Sequence, residues 1–175
     1  GGGSPTYYRE NEFLELVSAI QELVNLNEID TFTIEIDPRR VNEEKLKFYK
    51  KCGVNRFSFG IQDFDLSVQE EINRVQPFEL VQSLLTDEVR SGIKAINFDL
   101  LVGLPSQTES TMERTIDKVV ELQPDEVQVM FVHYKPKLRK HMTRMVRNGP
   151  LPDFYDRKAI FLTAAEGLEG AGYAR

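Results

Sequence analysis

The chain carries one cysteine, Cys52, among its 175 residues. A lone thiol excludes an internal disulfide framework and any all-cysteine metal cluster built by this chain alone. Histidine stands only at 133 and 141, with no carboxylate close by in sequence, so a metal site is not expected. Long apolar runs are missing as well. None approaches the ~20 residues that span a bilayer, and no signal-peptide pattern is present. Positive charge is in deficit: 22 Lys and Arg face 28 Asp and Glu, for a net charge of −6. Non-specific nucleic-acid binders are usually basic, so that partner is not expected. What is present is 41% hydrophobic and 29% charged, the balance of a soluble globular protein. A chain of this length can bury a real core, and one domain over 1–175, in the cytoplasm, is the expectation.

Periodicity orders the elements. Apolar residues at 13, 14, 16, 17, 20, 23 and 24 have helical spacing, and 31–36 alternates with period two. Asn42 caps a predicted helix over 43–52, which Gly53 stops. Further strands are predicted over 56–61, 95–101 and 126–132. Further helices are predicted over 77–92, 109–122 and 153–172, the last capped by Asp153 and stopped by Gly172. Ser67 with Glu70 reads as a capping box for one more short helix. Strands alternating with helices predict βαβ units and a parallel sheet, either doubly wound or part of a barrel.

Strand parity decides between the two. A doubly wound sheet buries both faces, so its strands are nearly all apolar. Here Thr33, Glu35 and Asp37 oppose Phe32, Ile34 and Ile36; Ser58, Gly60 and Gln62 oppose Phe57, Phe59 and Ile61; Asn97 and Asp99 oppose Ile96, Phe98 and Leu100. Each strand has one bulky apolar face and one small or polar face, with acids and amides near the C-terminal ends. That is the pattern of a barrel wall whose polar side lines the interior, where strand C-termini build active sites.

A family resemblance rests on stretches in this order: the opening Gly1-Gly2-Gly3-Ser4-Pro5-Thr6, Ile34-Glu35-Ile36-Asp37-Pro38-Arg39, Gly60-Ile61-Gln62-Asp63-Phe64, Asn73-Arg74-Val75-Gln76-Pro77-Phe78-Glu79, and Asn97 through Pro105. The glycine-rich opening alone suits a linker; in this company it resembles the strand-end motif of radical S-adenosylmethionine (SAM) enzymes. The whole set resembles the oxygen-independent coproporphyrinogen III oxidase family of that superfamily. The resemblance implies an α/β fold, a partial parallel (β/α) barrel of the radical SAM, TIM-barrel-like type, from the central to C-terminal part of a larger protein. The first strand and the cluster loop are then expected upstream of Gly1, together with the cysteine triad that holds a [4Fe–4S] cluster.

The resemblance also implies roles. Gly2, Gly3 and Ser4 approach SAM through backbone, where a Cβ would interfere. Glu35 accepts hydrogen bonds from SAM hydroxyl or ammonium groups. Gln62, Arg74 and Asp99 belong to a second SAM molecule beside the first, the guanidinium suiting a carboxylate. His133 stands where the family contributes a small residue through its backbone, a departure from the pattern. The implied reaction is oxygen-independent oxidative decarboxylation of coproporphyrinogen III propionates to vinyl groups in haem biosynthesis, with an electron donor as partner. The alternatives within the superfamily are a haem-binding chaperone and a haem-degrading enzyme. Without cluster ligands, this chain alone is expected to be inactive.

Plainer readings accompany several of these residues. Arg74 also suits a surface cation at the end of a short helix, Asp37-Pro38 a simple strand end, and Gly103-Leu104-Pro105 a turn needing no ligand. Cys52, spaced with Leu46 and Tyr49, reads as a small buried hydrophobe. Between His133 and Gly149 stand six Lys or Arg and no acid. The segment suits a cationic rim for a polycarboxylate substrate, or, as the favoured reading, an exposed helix buried along Leu138, Met142, Met145 and Val146. A truncated barrel exposes strand edges, which favours self-association.

Overall fold

Four short strands carry the architecture: β1 (Thr33–Ile36), β2 (Arg56–Gln62), β3 (Ala95–Val102) and β4 (Glu126–Phe131). In this computed structural model, which describes residues 4–135, 142–143 and 150–174, they lie side by side in chain order and every pairing is parallel. The helices are α1 (Glu10–Gln21), α2 (Glu43–Lys51), α3 (Leu66–Glu71), α4 (Phe78–Leu84), α5 (Asp87–Arg90), α6 (Glu109–Leu122) and α7 (Phe154–Gly170). A 3₁₀ turn, Pro5–Tyr7, precedes α1. No helix among the described residues is long and apolar enough to cross a membrane.

The parity read from the sequence is the organising feature. Register places Ile34 beside Phe57 and Phe57 beside Ile96, then Ile36 beside Phe59 and Phe59 beside Phe98. All of these side chains are buried, and they join Leu46, Tyr49, Val89, Met112 and Ile160 from the helices in one core. Phe59 meets Phe57 and Phe98 edge to face, with ring centroids 6.2 and 6.1 Å apart, the arrangement that aromatic quadrupoles prefer. On the other face the same register lines up Glu35, Ser58 and Asn97, then Gly60 and Asp99. One face therefore meets the helices and the other is left polar, as in a section of barrel wall.

Helix ends follow local chemistry. Asn42 Oδ1 accepts from Lys45 N at 2.9 Å, and Asp153 Oδ1 accepts from the backbone of Tyr155 and Asp156 at 2.7 and 2.9 Å, as capping residues do. Gly53 takes φ +93° just past Cys52, the buried C-cap of α2. Two expectations need correction. The helix predicted over 77–92 is two helices, α4 and α5. Thr86 caps the second, its Oγ1 accepting from Val89 N at 3.3 Å and donating to Glu43 Oε1 at 3.0 Å, a side-chain bond that competes with helix continuation. The cap of α3 is Asp65, not Ser67: its Oδ1 accepts from Ser67 N and Oγ, while Arg114 holds its other oxygen at 2.7 Å.

Among the described residues β1 and β4 are the sheet edges, and β4 leaves Met130 and Phe131 about two-fifths exposed. Unpaired strand edges template intermolecular pairing. The 175-residue chain is therefore expected to self-associate, with light-scattering mass rising over a hundredfold concentration series. A constant monomer mass over that range would refute this.

Candidate functional site

The polar face of the sheet ends in a pocket of about 190 Å³ at the strand C-termini. Ser4, Glu35, Gln62, Arg74 and Asp99 all line it, and so does Asp37. Five residues singled out from separate stretches of sequence are thus brought together. Gly2 and Gly3 lie outside the described residues. His133 is exposed just beyond β4 and is not part of the group. The basic segment falls largely at 136–141 and 144–149, outside the described residues, along with Leu138, Met145 and Val146.

The end of β2 shapes the floor. Gly60 pairs with Asp99 while Gln62, not Ile61, pairs with Leu100, a bulge that leaves Gln62 at φ +70°. A non-glycine residue there costs on the order of 1 kcal/mol and is characteristic of sites where position matters. A Cβ on Gly60 would stand 3.1 Å from Arg74 Nη2 and 3.2 Å from Gln62 Nε2, so any larger residue here would crowd the two polar groups.

Arg74 is not a free surface cation. Its Nη2 donates to Gly60 O at 2.7 Å and its Nε to Gln76 Oε1 at 3.1 Å, and Asp37 Oδ1 lies 3.7 Å away. Burial works against the guanidinium charge, and the Asp37 carboxylate offsets part of that cost. Asp37 is likewise more than a strand end. Burial alone would raise its carboxyl, but hydrogen bonds from Arg39 at 2.9 and 2.8 Å, with the charge of Arg74, hold it below the usual carboxylate range. Asp99 is oriented from below: Ser58 Oγ donates to one oxygen at 2.9 Å and Asn97 Nδ2 to the other at 2.7 Å. Ser4 Oγ lies 2.7 Å from Thr6 Oγ1, at the start of the turn beside β1.

Several contacts that set this geometry carry no sequence signal. Asp63, fully buried, accepts from Thr115 Oγ1 at 2.6 Å, Asp65 N at 2.7 Å and Gln107 Nε2 at 2.8 Å. Gln107 Oε1 in turn accepts from Gly103 N at 2.7 Å, so the ends of β2 and β3 are tied together through two side chains. Gly103-Leu104-Pro105 is the turn it was read as, with Gly103 at φ +98° and its carbonyl accepting from Tyr134 at 2.8 Å. Gln69 and Gln76 form a second buried pair below Arg74.

The donor set fits SAM in kind. Three carboxylates suit ammonium, sulfonium and ribose hydroxyl groups, a guanidinium suits a carboxylate, and an amide suits either. Asn97 Oδ1 is a buried acceptor with no protein partner, while its Nδ2 donates to Ser58 and Asp99. Cluster ligation is a different matter. Cys52 is the only thiol, is buried at the end of α2, and is pushed above its ordinary pKa by burial. Among the described residues no group of three or more His, Cys, Asp or Glu is placed to hold a metal.

Comparison with known proteins places the chain in a family. An oxygen-independent coproporphyrinogen III oxidase of Helicobacter pylori is 39% identical over 174 residues, 99% of this chain and 38% of that protein. One from Bradyrhizobium diazoefficiens is 36% identical over 175 residues, 39% of its length. Among solved structures, a coproporphyrinogen III oxidase from Escherichia coli, described as a radical SAM enzyme, superposes with a TM-score of 0.90 at 31% identity, over 99% of this chain and 40% of that one. The chain thus spans about two fifths of the length of these relatives. The model of the radical SAM superfamily matches residues 1–119, the stretch that holds β1 to β3 and every residue around the pocket, and the chain belongs to that superfamily.

Proposed function

We propose that this chain is the central part of an oxygen-independent coproporphyrinogen III oxidase, one domain over 1–175 of a cytoplasmic enzyme of haem biosynthesis that draws on an electron donor. The observation that carries the reading is the convergence of Ser4, Glu35, Gln62, Arg74 and Asp99 on one pocket at the strand ends. Relatives more than 30% identical over nearly the whole chain, bearing that name, support it.

When bound, SAM and a reduced [4Fe–4S] cluster supply the one-electron chemistry, and this chain's residues bind, orient and shield. Ser4, with the backbone of Gly2 and Gly3, and Glu35 would hold one SAM molecule, Glu35 accepting from its ammonium or hydroxyl groups. Gln62, Arg74 and Asp99 would hold a second, with Arg74 facing a carboxylate. Asp99 meets its ligand already oriented by Ser58 and Asn97, so little rearrangement is required on binding.

The test uses the full-length protein reconstituted without oxygen with iron, sulfide, SAM and a reductant, and supplied with coproporphyrinogen III. Release of carbon dioxide and formation of protoporphyrinogen IX are expected. Asp99→Asn and Glu35→Gln are each expected to lower the rate at least about tenfold, the usual scale for removing a charged ligand contact. SAM cleavage without a decarboxylated product, or stable haem binding in its place, would transfer the assignment to a haem-degrading enzyme or a haem chaperone.

A further inference from the structure

We infer that Gln76 is a positioning residue that aims Arg74 at a ligand carboxylate, an inference that rests on the SAM-site reading above. Gln76 is fully buried, yet it is a polar side chain in a loop with no regular backbone pairing to satisfy it. All of its hydrogen-bonding capacity goes to two places. Its Nε2 donates to the carbonyls of Ile61 and Gly60, the last turn of β2. Its Oε1 accepts from Arg74 Nε at 3.1 Å. One amide thus measures the distance between the pocket floor and the guanidinium that closes over it.

Gln76 is itself locked. Its backbone N–H donates to Gln69 Oε1 at 3.0 Å, and its carbonyl accepts from Gln69 Nε2, also at 3.0 Å. The same Gln69 Nε2 donates to Asp63 O at 2.8 Å, and Gln69 O accepts from Arg74 N at 2.8 Å. The loop between α3 and α4, which turns through Asn73 at φ +53°, is pinned on both sides of Arg74. A guanidinium has five N–H donors in a planar fork. With Nε on Gln76 and Nη2 on Gly60, the plane is fixed, and the Nη1 donors have no protein partner among the described residues. Those donors are the ones available to a carboxylate, and Gln76 decides where they point. A lysine could not read the same support, because it has no fork to be held at one edge.

The experiment measures binding by calorimetry on the full-length protein, without oxygen and without reductant, using two ligands: SAM, and decarboxylated SAM, which keeps the ammonium but lacks the carboxylate. The wild type is expected to prefer SAM. Gln76→Met keeps length and removes the amide; it should cut that preference about tenfold while leaving decarboxylated SAM unaffected. Arg74→Gln should do the same, and the double substitution should add nothing further. If Gln76→Met does not fold, Gln76→Leu is read in the same way, since it too removes the oxygen that accepts from Arg74. Equal weakening of both ligands, or effects that simply add to Arg74→Gln, would show a merely structural role and overturn the inference alone. A wild type that binds neither ligand, or binds both equally, would overturn the site reading and the inference with it.

Discussion

Phe98→Ala is expected to remove about 3–5 kcal/mol of stability, the range for truncating a fully buried aromatic ring, measured as a lower urea midpoint at an unchanged slope. Phe98 sits on β3, an inner strand, with no exposed surface. Its ring lies edge to face against Phe59, and it stands in the register row that runs from Ile36 through Phe59 and Phe98 to Val127. Parallel neighbours on both sides hold the backbone in place, so the surroundings cannot collapse into the space that the ring leaves. Domains are stable by roughly 5–15 kcal/mol, so the loss would be a large share of the total. A loss under 1 kcal/mol would mean that the apolar face of the sheet is not the core it is described as.

Asp63 is the second site of large effect. Substituting asparagine places an NH₂ against an N–H donor whichever oxygen it replaces: Asp65 N, beside the Thr115 hydroxyl, at one and Gln107 Nε2 at the other. Gln107 cannot turn its oxygen inward, because that oxygen already accepts from Gly103 N and Leu104 N. The cost is expected to be about 2–4 kcal/mol, that of a buried donor facing a donor. Titration adds a direction. Burial pushes the Asp63 carboxyl above its ordinary 3.8, more than its three donors pull it down. A carboxyl raised by folding binds its proton more tightly in the native state, so its contribution to stability is full below the unfolded pKa and falls as pH rises through the folded one. Asparagine does not titrate. The stability gap between wild type and Asp63→Asn should therefore narrow from about pH 4 toward pH 7 in paired denaturation curves. A gap that widens over that range would be incompatible with the raised carboxyl.

How much of this could be read beforehand divides along one physical line. Strand parity repeats every two residues, so Glu35, Gln62 and Asp99 could be put on one face from the sequence, and the pocket gathers them. The helix caps at Asn42 and Asp153 were legible because capping is chemistry within three residues. The break at Thr86 was not, since the Glu43 partner that helps to hold its side chain is 43 residues away. Asp63 and Thr115 are 52 residues apart, and Asp63 and Gln107 are 44 apart. No periodicity reports a pairing of that kind. Arg74 illustrates both sides: its motif pointed to the pocket, while its local context, the end of a six-residue helix, equally suited an exposed cation. What decided the matter was Gly60, whose missing side chain is a fact about the neighbouring strand.

The backbone at Gln62 has an evolutionary corollary. At φ +70° the residue that relaxes the chain best is glycine, and glycine has no amide to offer the pocket. Thermal robustness and ligand recognition therefore pull this position toward different amino acids, a trade-off of the kind that keeps natural proteins below their attainable stability. A variant library ranked by melting temperature alone would be drawn to glycine at 62 and would discard the pocket while improving the fold.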